Sequence, residues 1–78
     1  MASKRPKDEN LRKLGDAIRD VRNERGLSQA YLAQLANIDC TYLGRVERGE
    51  NNVQVLSLVA IAKALDTDVQ RFMGLAGL

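Results

Sequence analysis

The chain has no histidine, no tryptophan, one cysteine (Cys40) and one proline (Pro6) among 78 residues. A lone thiol without histidine excludes an intrachain disulfide and a Cys/His zinc site, so no metal is expected. The commonest general base is missing too, and neither paired carboxylates nor a phosphate-cradling glycine loop replaces it. No catalytic residues, no enzyme activity and no cofactor are therefore expected. Aromatic residues make up 4% of the chain, and Phe72 is its one phenylalanine. No segment alternates apolar and polar residues as a half-buried strand would, so the expected fold is all-α with an aliphatic core. No apolar run is long enough to span a bilayer, and the first residues lack the apolar core of a signal peptide. The expectation is no membrane and a cytoplasmic location.

Strong charge is lacking as well. Twelve Lys and Arg against ten Asp and Glu leave a formal charge of +2. Such a small excess does not coat nucleic acid non-specifically, so affinity for it must come from a few placed contacts. The bias is local. Residues 1–25 hold eight basic side chains against five acids, and the remainder holds four against five. A chain of this length builds one small core, with no room for a sensing domain, and no small-molecule effector is expected.

What the chain does have is helical periodicity. Residues 1–8, MASKRPKD, read as a flexible basic arm ahead of a single domain over 9–78, with Asp8 as a helix cap. From Glu9 to Arg25, Leu11, Leu14, Ile18 and Val21 make one apolar stripe, and Gly26 ends that helix. Ser28 caps a second helix, Gln29 to Leu35, and Asp39 caps a third, Cys40 to Arg48, which stops at Gly49. A fourth helix, Val55 to Leu65, is apolar over more than one face. Thr67 and Gln70 have the spacing of a capping box, which places the start of a short fifth helix there. Phe72 and Met73 supply its apolar contacts, and the tail Gly74–Leu78 is small and apolar.

The segment QAYLAQLANIDCTYLGRV, Gln29 to Val46, meets the separate requirements of a helix-turn-helix over residues 28–48. Leu32, Ala36, Ile38, Leu43 and Val46 are apolar where burial is needed. Ala33 is small where two helices cross closely. Asn37 stands in the turn, where a left-handed backbone suits Asn better than any residue but Gly. That unit lays a short helix in the major groove, so the expected partner is double-stranded DNA.

Together IRDVRNERGLSQAYLAQLANIDCTYLGRVERGENN and IAKALDTDVQRFM resemble the Cro/phage-repressor class of helix-turn-helix domain, also called the xenobiotic-response-element family. The resemblance runs over roughly residues 10 to 73 and implies a compact five-helix, repressor-like domain that dimerises and represses or activates transcription. The run DCTYLGRVERGENN is similar to the recognition segment of restriction-modification controller proteins. Val53, Gln54 and Asp66 depart from common family residues. Cys40 stands where relatives often carry a long polar side chain.

With Leu43 and Val46 pointing inward, Cys40, Thr41, Gly44 and Arg45 point outward, with part of Tyr42 and Arg48. Arg45 is the candidate reader of guanine, by two parallel bonds to O6 and N7, or else a surface guanidinium paired with an acid or a phosphate. Thr41 reaches a base edge or bonds its own helix backbone. Tyr42 lies along the groove or covers the core's edge. Gly44 permits close approach to DNA or is a tolerated surface glycine, and Cys40 is a neutral thiol or a redox-sensitive one. Gln29 and Ser28, at the start of the second helix, are expected on phosphate, with Ser28 also the cap. Arg48, Asn51 and Asn52 face the other strand's backbone or are ordinary loop polarity. Lys4, Arg5 and Lys7 reach a groove or form a solubilising tail. Glu47 is expected to pair structurally with an arginine of the first helix.

The fourth helix carries more apolar surface than so small a domain buries. Within the region 55–78, Val55, Leu56, Val59, Phe72, Met73 and Leu75 are therefore expected at a homodimer interface, unless the tail folds back on its own core. A two-fold dimer reads a palindromic operator and, lacking a sensor, responds to its own concentration. The leading expectation is an autoregulatory transcriptional regulator of the controller kind. The competing one is an antitoxin or adaptor that uses the same fold to bind protein.

Overall fold

The structure, a computed structural model, describes residues 9–78; the expected basic arm and the Asp8 cap lie outside them. Five helices follow in order: α1 (Glu9–Glu24), α2 (Gln29–Ala36), α3 (Cys40–Glu47), α4 (Val55–Ala64) and α5 (Val69–Ala76). The described residues contain no strand, in agreement with the all-α expectation. α1 packs against α3 and α5, while α2 packs against α3 and α4.

Helix starts follow the sequence where a short oxygen-bearing side chain is present. Ser28 Oγ accepts the N–H of Tyr31, and Asp39 Oδ2 accepts that of Tyr42, so two orphan amides are satisfied by the expected caps. α4 has no side-chain cap of its own, and Tyr42 Oη instead accepts the N–H of Gln54 at 3.2 Å. α5 corrects the expectation. It opens at Asp68, whose carboxylate accepts the N–H of Arg71, and not at Thr67. The reason is that Thr67 already closes α4. Its N–H bonds to Ala62 O while that of Asp66, at φ 57°, bonds to Lys63 O. That six-to-one closure around a left-handed residue is the helix stop known as the Schellman motif. Asn37, also at φ 57°, ends α2 in the same way, with the Ile38 N–H on Ala33 O. The turn of the helix-turn-helix is thus a helix stop followed at once by a helix cap.

The core gathers Leu14, Ile18 and Val21 of α1, Leu32, Ala33 and Ala36 of α2, and Leu43 and Val46 of α3. Leu58, Ile61, Ala62, Leu65 and Phe72 complete it from the C-terminal half. Phe72 is fully buried, which removes it from the expected dimer interface: its ring fills the space between α5 and the other helices. Met73 is half-buried against the same cluster. Arg25 ties the end of α1 to the end of α4, donating from Nε to Leu65 O at 2.8 Å and from Nη2 to Asp66 O at 3.3 Å.

Two glycines permit the tightest crossing. A Cβ on Gly15 of α1 would lie 2.4 Å from Val46 O and 2.6 Å from Glu47 O. One on Gly49 would lie 2.6 Å from Arg12 Cα. The backbone at the end of α3 therefore rests directly on α1, and this contact fixes the pose of α3.

Candidate nucleic-acid interface

α3 divides cleanly between an inner and an outer face. Leu43, Val46 and Glu47 are buried, whereas Cys40, Thr41 and Arg45 are exposed. The Arg45 side chain is exposed and makes no ion pair or hydrogen bond among the described residues, which leaves its guanidinium donors open to water or a ligand. Tyr42 is half-buried on the edge of the core, with its hydroxyl at the start of α4. Of its two expected places, the structure shows the one at the edge of the helix-turn-helix core.

Glu47, 2% exposed, is the one buried charged residue among the described residues. Its expected partner on α1 is Arg22, which donates from Nε to Oε2 at 2.7 Å and from Nη2 to Oε1 at 2.9 Å. Burial alone would depress a guanidinium's pKa, but the paired hydrogen bonds to Glu47, with its charge, hold Arg22 above the ordinary value. Arg22 also donates to Leu27 O at 2.9 Å, and Gln29 Nε2 donates to Glu47 Oε1 at 3.0 Å. One α1 arginine thus binds the α1–α2 loop, the end of α3 and, through Glu47, the first side chain of α2. Among the described residues, no buried side-chain nitrogen or oxygen is left without a partner.

Gly44 does not face outward as expected. It is buried beneath two side chains: a Cβ there would stand 3.3 Å from Gln29 Oε1 and 3.3 Å from Arg48 Nη1. Arg48, the residue after α3, is exposed and pairs with Glu50 through Nε at 3.0 Å and Nη2 at 3.2 Å. Those bonds from Arg48, with the charge of Arg45 behind them, keep the Glu50 carboxyl below its ordinary pKa. Asn51 is half-buried and Asn52 exposed in the loop beyond. Ser28, Gln29 and Arg48 therefore lie near one another where the start of α2 meets the end of α3, with Thr41 and Arg45 along the open face of α3.

The sequence did not show the packing roles of Gly15 and Gly49, and it left open which arginine of α1 pairs with Glu47. Gly15 and Gly49 reveal themselves only through the helix crossing. Arg22 did carry a signal: it follows Ile18 by one helical turn, so a charge stands at the margin of an apolar stripe and needs a partner.

Away from this face, Val55 and Leu56 are 73% and 81% exposed, and Leu75 and Leu78 are each 53% exposed. Val59 is half-buried. No three described His, Cys, Asp or Glu residues are grouped to hold a metal ion, and no helix among the described residues is long and apolar enough to cross a membrane.

A family model described as Helix-turn-helix matches residues 18–72. Control protein C.SmaI of Serratia marcescens is 42% identical over 65 residues, 83% of this chain and 77% of that protein. The immunity repressor protein of Bacillus phage phi105 is 38% identical over 61 residues, which cover 78% of this chain and 42% of the repressor. The crystal structure of the restriction-modification controller protein C.AhdI from Aeromonas hydrophila is similar with a TM-score of 0.78 at 40% identity, over 80% of this chain and 94% of that one.

Proposed function

The chain belongs to the helix-turn-helix family, and from that membership we propose that it is a sequence-specific regulator of transcription that lays α3 in the major groove of double-stranded DNA. The observation that carries this reading is the two-faced third helix: Leu43, Val46 and Glu47 are locked into the core while Cys40, Thr41 and Arg45 stand free. In this docking Arg45 reads guanine through O6 and N7. Thr41 meets a base edge or a thymine methyl, with Cys40 and Tyr42 beside it. Ser28 and Gln29 at the start of α2, with Arg48, Asn51 and Asn52 beyond α3, take phosphates and set the register.

Residues 9–78 act as one domain that also dimerises. Val55, Leu56 and Leu75, extended by Val59 and Met73, form the contact, and their exposed apolar area is what supports it. Two copies then present their recognition helices about 34–36 Å apart to a palindromic operator. The likeness to control proteins makes the controller of a restriction-modification operon, acting on its own promoter, the function we assign. Dimerisation followed by paired operator filling gives such a protein a steep response to its own concentration.

The test is selection of random duplexes by the purified protein at near-physiological salt, with the bound pool sequenced. A two-fold symmetric motif supports the proposal. No enrichment by well-folded protein contradicts it, and favours an antitoxin or adaptor that uses the apolar face of α4 and α5 to bind protein.

A further inference from the structure

We infer that Gly44 is a positioning residue for phosphate binding: by having no side chain it leaves the space in which the Gln29 amide is seated beside Arg48, and a larger residue displaces that amide. This rests on the DNA reading above. Gly44 has no left-handed backbone to justify a glycine, and it sits inside a helix, where Ala is the better former. What it has is a roof. A Cβ at this position would meet Arg48 Nη1 and Gln29 Oε1 at 3.3 Å each, and Gln29 Cδ at 3.8 Å. Both are side chains, so a substitution moves them by a few tenths of an ångström and leaves the helix intact.

The two neighbours differ in freedom. Arg48 is exposed, and its partner Glu50 is exposed too, so it swings aside and returns. Gln29 is held from behind, because its Nε2 donates to Glu47 Oε1 at 3.0 Å and Glu47 is in turn held by Arg22. A carboxylate only accepts, which fixes the amide with its nitrogen toward Glu47 and its oxygen toward Gly44. One amide N–H remains for a phosphate oxygen. A methyl at Gly44 pushes on the amide oxygen and tilts the whole group, so that the remaining N–H no longer points where Glu47 sets it. Phosphates carry no sequence information, so the loss must be uniform across sequences.

The experiment measures binding of the full chain to the selected duplex and to a random-sequence duplex of equal length, for wild type, Gly44→Ala, Gln29→Ala and the double variant. Melting temperatures, and the Gln29 side-chain amide resonances without DNA, are recorded alongside. Gly44→Ala should weaken both duplexes by about tenfold, the equivalent of one charge-assisted hydrogen bond. It should melt no lower than wild type and shift the Gln29 amide resonances. On the Gln29→Ala background, adding Ala at 44 should change binding by no more than about twofold, because the displaced group is gone. The inference is overturned by unchanged binding, by additive losses, by unmoved Gln29 resonances, or by a loss confined to one base position. Wild type that binds neither duplex overturns the DNA reading and this role with it. Wild-type binding alongside an indifferent Gly44→Ala overturns this role alone.

Discussion

Arg22→Ala should bring the domain close to unfolding. Glu47 is 2% exposed and the Arg22 side chain 12%, so water screens little of their interaction. Deleting the guanidinium removes both bonds to the carboxylate and leaves Glu47 with only the Gln29 amide. A buried charge stripped of its partner in this way costs about 3–5 kcal/mol. The bond from Arg22 to Leu27 O is lost as well, worth about 0.5–1.5 kcal/mol. A domain of this size has only about 4–12 kcal/mol in total. The melting midpoint should therefore fall by at least about 12 °C. Urea unfolding followed by far-UV circular dichroism gives the free energy directly. The double replacement Arg22→Met with Glu47→Leu should recover most of the loss, since apolar residues of similar size replace a buried ion pair at little cost. A loss below about 1 kcal/mol for Arg22→Ala, the level of a surface pair, would mean that water reaches the carboxylate and the α1–α3 junction is open.

The glycines make opposite tests. Gly15→Ala drives a methyl into the backbone of α3 and should cost about 1–3 kcal/mol net in chemical denaturation, although Ala is the better helix former. Gly74→Ala, in α5 with nothing within 4 Å of the new methyl, should instead stabilise by about 0.5–1 kcal/mol; equal effects at the two positions would refute the tight crossing. Leu56→Lys, at a side chain 81% exposed, should leave folding within about 0.5 kcal/mol while sedimentation shifts from dimer to monomer. A variant that sediments as wild type does would move the dimer contact elsewhere.

Much of the architecture is local and therefore legible in the sequence. Ser28 and Asp39 cap their helices, and Asn37 takes the left-handed turn, because each acts on a backbone group within a few residues of itself. The buried acid Glu47 also announced a partner on the first helix. Where two local signals competed, the sequence was ambiguous. Thr67 and Asp68 are both acceptable caps, and the choice fell to Asp68 once the stop of α4 had engaged the Thr67 amide. What arises across space was out of reach. The fit of Gly15 and Gly49 against opposing backbones depends on a helix crossing that no local spacing encodes. Gly44 was legible as a position needing closeness, but its neighbours are Gln29 and Arg48 of the same chain. Phe72 followed the same logic: an apolar residue near the C-terminus suits an interface or a core equally well until its neighbours are known.

In the proposed docking the open face of α3 reads base sequence, while the start of α2 and the residues after α3 hold the backbone. The most direct measurement is the affinity of wild type, Arg45→Ala and Arg48→Ala for the selected duplex and each of its single-base variants, across a series of salt concentrations. Arg45→Ala should lose about 1–3 kcal/mol on the selected site and become indifferent to the base at one position of each half-site. Arg48→Ala should weaken every duplex alike and lower the salt slope by about one. An Arg45→Ala protein that keeps the wild-type preference at every position would contradict the account.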